Sequence, residues 1–207
     1  ALGADEAHAR LLFDVTEPAI TSENIENLNI NALLGQGESD FAGSPANRVH
    51  NIKVGASKYQ GLILAPGEEF SFNENLGEVD ASTGYLPELV IKDNQTIPEY
   101  GGGICQVSTT LFRAAVYAGL DITARQNHSY VVRYYGTPGF DATIYPPFPD
   151  MRFVNNTPGH ILIQYRIVGT KLFFEIYGQD DGRSVEVVGP VLYDQQENGA
   201  VKDRKST

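Results

Sequence analysis

Cysteine, tryptophan and positive charge are scarce in this sequence. Its 207 residues contain one cysteine, Cys105, and no tryptophan. A single cysteine excludes an internal disulfide and a cysteine-based zinc site. Only 15 lysines and arginines oppose 26 aspartates and glutamates, which gives a net charge of −11 and no basic patch, so nucleic acid is not expected as a partner. The longest apolar runs, such as Ile161-Leu162-Ile163, are far too short to cross a bilayer.

The rest of the composition is that of a globular protein. Hydrophobic residues make up 42% and charged residues 20%, and the length suits one domain or one domain with a small appendage. No signal peptide is visible at Ala1, and we expect that a leader or anchor segment preceded this start. His8, His50 and His160 fit no ligand spacing, so we predict no metal and no cofactor.

Helical patterns are found in the first half of the chain. A short helix is predicted over 21–28 and a loop over 35–43. A longer helix begins at Ser44, which is a good N-cap residue. Its apolar residues recur at spacings of three and four, and we expect it to end only at Pro66-Gly67.

Strand patterns dominate the remainder. Gly169-Thr170 joins two alternating segments and is a compact hairpin signal. The predicted strands cover residues 69–72, 85–92, 120–124, 130–135, 141–145, 151–154, 161–168, 171–177 and 185–188, with a turn over 73–75. The layout is α+β, in which N-terminal helices, including one that carries Cys105, pack on a C-terminal antiparallel β-sheet.

The residues around Cys105 point to covalent chemistry. Three glycines at 101–103 precede it, and apolar residues then recur at helical spacing as far as Ala118. Cys105 therefore falls in the first helical turn, where the peptide dipoles favour a thiolate and lower the pKa of the thiol. The glycines would let backbone pass close to a substrate. An isolated cysteine is more often a small buried hydrophobe, but its place after the glycine run favours a nucleophile.

His128 and Asp141 are the candidate partners of the thiol. His128 lies where the strand over 130–135 should begin, and Asp141 at the start of the strand over 141–145. Neighbouring antiparallel strands would bring both beside the start of the helix. There the histidine can accept the thiol proton and the aspartate can orient the imidazole. Asp150 is a rival for the orienting role, although the prolines before it suggest a rigid loop.

Six further residues are predicted to form the oxyanion site or the substrate groove. Backbone amides at the glycines and at the first helical turn could donate to an oxyanion, and an aromatic side chain could line a groove. The alternative for the glycines is a flexible turn before a helix, and aromatic residues at strand spacing are more often core. The predicted set is Gly102, Gly103, Gln106, Ser108, Ser129 and Tyr134.

Several segments of the chain resemble the VanW family. The likeness extends from about Asn47 to Tyr177. The matching motifs, in order, are Asn47-Arg48, Asn51-Ile52, residues 66–73, Gly84-Tyr85, residues 101–111, His128-Ser129, residues 141–143 and residues 153–157. So many motifs in the same order are highly specific for this family. The resemblance implies a VanW-like catalytic domain over 47–178, preceded by an N-terminal extension over 1–46 and followed by a C-terminal strand and polar tail over 179–207.

The resemblance also implies a setting and an activity. The family's name comes from glycopeptide-resistance gene clusters, which points to the cell-wall side of the bacterial envelope and to peptidoglycan stem peptides as partners. Some VanW-domain proteins are reported to act as L,D-transpeptidases. Such an enzyme forms a thioester with a stem peptide, releases D-alanine and passes the acyl group to an amine, which gives a 3→3 crosslink. Cys105 would be the nucleophile, His128 the base and Asp141 the orienting acid.

Two other functions remain open at this point. A cysteine amidase or peptidase of the cell wall would pass the same acyl group to water. The order of helix cysteine, strand histidine and strand acid also resembles transglutaminase-like and NlpC/P60-like hydrolases. A cell-wall-binding module without turnover would use Cys105 only for packing. Product analysis separates the first two functions, and the pKa of the thiol separates both from the third.

Overall fold

The computed structural model describes residues 28–92, 95–129 and 131–188. Its elements in chain order are β1 (Ala32–Asp40), α1 (Ala46–Ser57), β2 (Leu62–Leu64), β3 (Glu69–Ser71), α2 (Phe72–Leu76), β4 (Pro87–Lys92), β5 (Gln95–Tyr100), α3 (Ile104–Tyr117), β6 (Asp121–Ala124), a 3-10 helix (Arg133–Tyr135), β7 (Arg152–Val154), β8 (Ile161–Val168) and β9 (Lys171–Gly178). The few helices and several antiparallel sheets confirm the predicted α+β class. Within the described ranges, no helix combines the length and the apolar character that a membrane crossing requires.

The largest sheet is antiparallel and has the strand order β1-β9-β8-β2. The predicted hairpin around Gly169-Thr170 lies at its centre, where β8 and β9 pair from Leu162↔Tyr177 to Val168↔Lys171. Alternate residues of these strands are fully buried, as in Ile161, Ile163 and Phe174, because α3 packs across one face of the sheet. Two of the four strands, β1 and β2, come from the first third of the chain.

β1 replaces most of the loop that was predicted over 35–43. It pairs with β9 along the edge of the main sheet. The glycines that suggested a loop are needed for close packing instead. A Cβ at Gly37 would lie 2.6 Å from the amide nitrogen of Ala114, and a Cβ at Gly35 would lie 2.5 Å from the carbonyl oxygen of Ala114. The backbone of α3 crosses β1 too closely for a side chain at either position. β1 also falls inside the predicted extension over 1–46.

α1 is shorter than the sequence predicts. It ends at Ser57, and not at Pro66-Gly67. A turn over 58–61, in which Gly61 has a φ of 80°, leads from the helix into β2. Pro45 rather than Ser44 occupies the N-cap position. The apolar residues that were read as the end of this helix belong to the tight turn and to β2, which follows it.

A smaller sheet has the strand order β3-β7-β6, close to three of the predicted strands. The predicted turn over 73–75 was wrong, because these residues belong to α2. The Ser71 hydroxyl accepts a hydrogen bond from the amide of Glu74 at 3.1 Å, and this Ser-x-x-Glu spacing is a known helix-start signal.

β4 and β5 form a separate hairpin. The strand over 85–92 anticipated β4, but β5 was not predicted, and Pro98 within it is a residue that argues against a strand.

Three predicted strands do not form among the described residues. Part of 130–135 is a 3-10 helix, and neither 141–145 nor 185–188 joins a ladder. The segment 141–145 bonds to side chains of α3 instead, as described below. The helix predicted over 21–28 lies outside the described residues except for its last position, and the tail after residue 188 also lies outside them.

Candidate active site

Cys105 lies in the first turn of α3 and lines a cleft. Its side chain is partly exposed. Gly103, with a φ of 114°, precedes the helix in a conformation that strains other residues. The amide of Cys105 has no hydrogen-bond acceptor among the described residues. The sulfur therefore lies beside an unpaired amide and the positive end of the helix dipole.

His128 and Asp141 form a hydrogen-bonded pair next to this sulfur. Nδ1 of His128 contacts Oδ2 of Asp141, and the backbone amide of His128 donates to the same oxygen at 3.0 Å. The imidazole of His128 also lies close enough to the Cys105 thiol for the two groups to shift each other's pKa. Because Nδ1 faces the carboxylate, Nε2 is the nitrogen left for the sulfur. His128 is 8% exposed and Asp141 6%, so both are shielded from bulk water.

Asp141 is positioned by α3, and not by the start of a strand as predicted. Ser108 donates from Oγ to the carbonyl oxygen of Ala142 at 2.6 Å. The amide of Ala142 donates to Oγ1 of Thr109 at 3.1 Å. The helix that carries Cys105 therefore also fixes the segment that carries the acid.

His128 lies in the irregular segment after β6, so its predicted place in a strand was wrong as well. Arg125, in the same segment, donates from Nε to the carbonyl oxygen of Asp141 at 2.7 Å, and its Nη2 lies 3.9 Å from the carboxylate. The rival acid, Asp150, accepts a hydrogen bond from Ser71 Oγ at 2.7 Å beside the smaller sheet. Of the two aspartates, Asp141 is the one that contacts the imidazole.

Burial and charge act in opposite directions on the pKa values of these groups. Burial raises the pKa of Cys105, but the hydrogen bond and charge of His128 outweigh it and hold that pKa below its ordinary value. Burial lowers the pKa of His128, but its bonds to Asp141 and Cys105 prevail and raise it to about 9. Burial raises the pKa of Asp141, but the hydrogen bonds from His128 lower it by more. The net shift of the Asp141 pKa is therefore downward. The downward shift of the thiol and the upward shift of the imidazole both move the balance toward a thiolate–imidazolium pair.

Two more polar atoms lie near the sulfur. The hydroxyl oxygen of Thr143 is 3.7 Å away and the carbonyl oxygen of Ile144 is 3.6 Å away. The Thr143 hydroxyl can donate to a thiolate, whereas the carbonyl can accept only from a thiol. The ring of Tyr135 packs against that of His128 with 5.4 Å between centroids and covers one side of the imidazole.

The cleft in front of Cys105 has a volume of about 790 Å³. Its walls come from the start of α3, the segment after α2, the β4–β5 hairpin and the loops around His128 and Ile144. Most of the lining is apolar or aromatic. The charged groups besides His128 are Arg48, Glu78 and Glu99. This size and mixture are typical of a site for a small organic ligand.

Only two of the six predicted groove residues line this cleft. They are Gly103 and Tyr134. The other four, which lie elsewhere, are Gly102, Gln106, Ser108 and Ser129. Gln106 and Ser108 are fully buried because their side chains bond to other parts of the fold, and Ser129 is exposed outside the cleft. These residues were chosen because they are close to Cys105 in the sequence, and that closeness does not show which side of α3 faces the cleft.

The glycine run before Cys105 serves packing, and its role in substrate approach stays a prediction. A Cβ at Gly102 would lie 2.7 Å from the carbonyl oxygen of Leu89, and a Cβ at Gly103 would lie 3.1 Å from that of Arg48. The glycines thus allow the hairpin and α1 to close on the start of α3. The amide of Gln106 donates to the carbonyl oxygen of Gly103 at 3.0 Å, so it is not available to an oxyanion.

Two arginines at the site were not identified from the sequence. Arg48 lines the cleft from α1, and Arg125 braces Asp141. Arg48 belongs to one of the VanW-like motifs, and that was its only signal. Arg125 precedes His128 by three residues in an irregular segment, and no periodicity marks it.

The comparisons with known proteins agree with the resemblance in the sequence. Residues 47–177 match the family model described as VanW like protein. Uncharacterized protein YoaR of Bacillus subtilis (strain 168) is 36% identical over 163 residues, which cover 79% of this chain and 53% of YoaR. Vancomycin B-type resistance protein VanW of Enterococcus faecalis (strain ATCC 700802 / V583) is 28% identical over 161 residues, 74% of this chain and 58% of that protein.

The chain therefore spans little more than half the length of these curated relatives. No solved structure matches it at a significant level. The bounds of the family match, 47–177, coincide with the likeness found from the motifs and include Cys105, His128 and Asp141. The chain belongs to the VanW family.

Proposed function

We propose that this protein is a cysteine L,D-transpeptidase that crosslinks peptidoglycan stem peptides on the cell-wall side of the bacterial envelope. The observation that carries the proposal is the grouping of Cys105 with the hydrogen-bonded pair of His128 and Asp141 at the edge of a cleft. A thiolate paired with an imidazolium is an activated nucleophile with its proton donor in place. The name of the Enterococcus relative ties that protein to vancomycin resistance, which is compatible with a cell-wall substrate here.

In the first half-reaction the Cys105 thiolate attacks the carbonyl carbon of the amide between the third and fourth stem residues. A C–S bond forms, and the amide of Cys105 can donate to the resulting oxyanion. When the C–N bond breaks, the imidazolium of His128 gives its proton to the departing nitrogen, and D-alanine leaves with a free amine. A thioester on Cys105 and a neutral imidazole remain.

In the second half-reaction an amine from a neighbouring stem's diamino acid attacks the thioester. His128 takes a proton from that amine while the new C–N bond forms and the C–S bond breaks. The thiolate and the imidazolium are thereby restored. Asp141 stays ionised throughout, accepts the Nδ1–H bond and stabilises the imidazolium. With water in place of the amine, the same steps would make the enzyme a hydrolase.

The test is incubation with a disaccharide tetrapeptide followed by mass analysis. Wild type should release D-alanine and form a crosslinked dimer, and Cys105→Ala or His128→Gln should form neither. His160→Gln is the matched control, because it removes a histidine that does not line the cleft, and it should retain activity. Shortened stems without dimers would assign the hydrolase instead. Binding of the stem without any product from wild type would assign a non-catalytic binding module.

A further inference from the structure

Arg48 lines the cleft directly beside the start of α3. It lies in the first turn of α1 and is half-buried. A Cβ at Gly103 would lie 3.2 Å from Cγ of Arg48, so the arginine stem packs against the residue two positions before Cys105. The transpeptidase mechanism above assigns no role to this cation.

The guanidinium of Arg48 is held only by neutral groups. Its Nη2 donates to Oε1 of Gln106 at 2.7 Å and to the hydroxyl of Tyr134 at 3.2 Å. Its Nε donates to Oγ of Ser44 at 3.2 Å. Its Nη1 has no acceptor, and the guanidinium has no carboxylate partner, among the residues that the structure describes. No carboxylate is therefore paired directly with Arg48 among the described residues, although Glu78 and Glu99 also line the cleft.

A buried series of hydrogen bonds fixes the orientation of this guanidinium. Gln106 is fully buried, and its Nε2 donates to Oγ of Ser39 at 3.1 Å. That hydroxyl lies 2.6 Å from Oγ1 of Thr110, which donates to the carbonyl oxygen of Gln106 at 2.6 Å. Every polar group in the series has a partner, so the amide oxygen that receives Arg48 has a defined position. Gln106 is a positioning residue for Arg48.

A fixed guanidinium without a paired carboxylate is suited to an anion that enters the cleft. Its planar donors match a carboxylate better than a point charge would. In the proposed reaction, the carboxylate nearest the scissile bond is that of the leaving residue. A single carbon separates it from the scissile nitrogen, so its binding group must lie close to the nucleophile. Arg48, packed on Gly103, meets that requirement.

We propose that Arg48 binds the free C-terminal carboxylate of the acyl-donor peptide and thereby selects donors whose scissile bond is the last one. This inference rests on the proposed function. It makes the donor a stem that ends at its fourth residue. A stem with a fifth residue, or one that ends in a carboxamide, presents a neutral group to Arg48 and leaves the guanidinium without a paired carboxylate.

The turnover test compares two donors that differ only at the C-terminus, a disaccharide tetrapeptide acid and its carboxamide. Wild type should favour the acid about 10- to 100-fold in kcat/KM, the range expected for a charge-assisted hydrogen-bonded pair. Arg48→Gln should lose this preference by slowing on the acid alone. Arg48→Lys should retain part of it, because the charge remains without the planar fork. Lys53→Gln, which removes the same charge from an exposed position on α1, is the matched control and should behave as wild type.

Binding to Cys105→Ala separates this inference from the proposed function, because it needs no turnover. Titration monitored by NMR should show tighter binding of the acid than of the carboxamide, and Arg48→Gln in the same background should equalise them. A clear acid preference without any product from wild type would retain the role of Arg48 and overturn the transpeptidase. Equal affinities for the two peptides, or no binding of either, would overturn the role of Arg48, even if wild type forms crosslinks.

Discussion

At the scale of single residues, the chemistry depends on which of two groups holds one proton. A thiol buried without a partner would keep the proton, because desolvation penalises the thiolate. Here the interaction with His128 lowers the pKa of the thiol, and Asp141 raises the pKa of the imidazole. The pKa of Cys105 therefore depends on its neighbours as much as on its place in α3.

The pH dependence of Cys105 alkylation tests this balance. In wild type the rate should rise through a pKa below that of an ordinary thiol, because His128 favours the thiolate. His128→Gln removes both the hydrogen bond and the positive charge, while burial, which raises the pKa, remains. The pKa read from the alkylation profile should therefore move upward in this variant.

His50→Gln serves as the control for that experiment, since His50 bonds to the carbonyl oxygen of Gly84 and does not line the cleft. Its profile should match that of wild type. An unshifted wild-type profile, or identical profiles for wild type and His128→Gln, would contradict the thiolate–imidazolium pair. It would leave Cys105 as a packing residue.

At the scale of elements, α3 organises both the fold and the site. Its first turn carries Cys105, its Ser108 and Thr109 hold the segment of Asp141, and its later turns pack on β1. One helix therefore sets the distance between Cys105 and Asp141. The close approach of β1 to this helix is possible only because glycines lie at the crossing.

Gly37→Ala tests that crossing. The new Cβ would lie 2.6 Å from the amide nitrogen of Ala114, and a helix backbone cannot move aside as a flexible side chain can. We expect a loss of about 3 kcal/mol or more in the free energy of unfolding, measured in urea. Gly43→Ala is the control, because that position has open space and a φ of 76°, so only the left-handed conformation costs stability, about 1–2 kcal/mol. Equal losses in the two variants would show that β1 and α3 are not tightly packed.

The sequence predicted elements well where one physical signal dominated. The hairpin around Gly169-Thr170 follows from alternating burial and a compact turn, and β8 and β9 form as predicted. β1 was missed because its glycines are also typical of loops, and only the tertiary contact with α3 explains them. Residues 141–145 look like a strand, but Ala142 bonds to side chains of α3, and the amides of Thr143 and Tyr145 donate to loop carbonyl oxygens, which no periodicity reveals.

The same distinction applies to the candidate site. Residue type and chain order were enough to bring Cys105, His128 and Asp141 together as a hypothesis, and the structure places them in contact. Gln106 was assigned to the oxyanion site for its backbone amide, yet that amide donates to the carbonyl oxygen of Gly103. Arg48 is distant in sequence from α3, so its position beside Gly103 depends on how α1 packs.

At the scale of the whole molecule, β1 connects the main sheet to the site. It pairs with β9 at eight positions, and α3 packs against it. Its Ser39 also accepts the hydrogen bond that orients Gln106. The sequence placed this segment in an extension that precedes the domain. The structure instead makes residues 32–40 an edge strand of the same sheet that carries β8 and β9.

Truncation distinguishes these two views of the N-terminal region. A chain that begins at residue 41 lacks β1, so β9 becomes an unpaired edge, α3 loses its nearest strand and Gln106 loses the Ser39 acceptor. We expect this chain to lose the cooperative thermal unfolding transition, while a chain that begins at residue 28 and keeps β1 retains one. The comparison of the two chains isolates the strand from the residues before it. A transition at the same temperature in both would show that β1 is dispensable and that the domain begins near residue 47, as the sequence alone predicted.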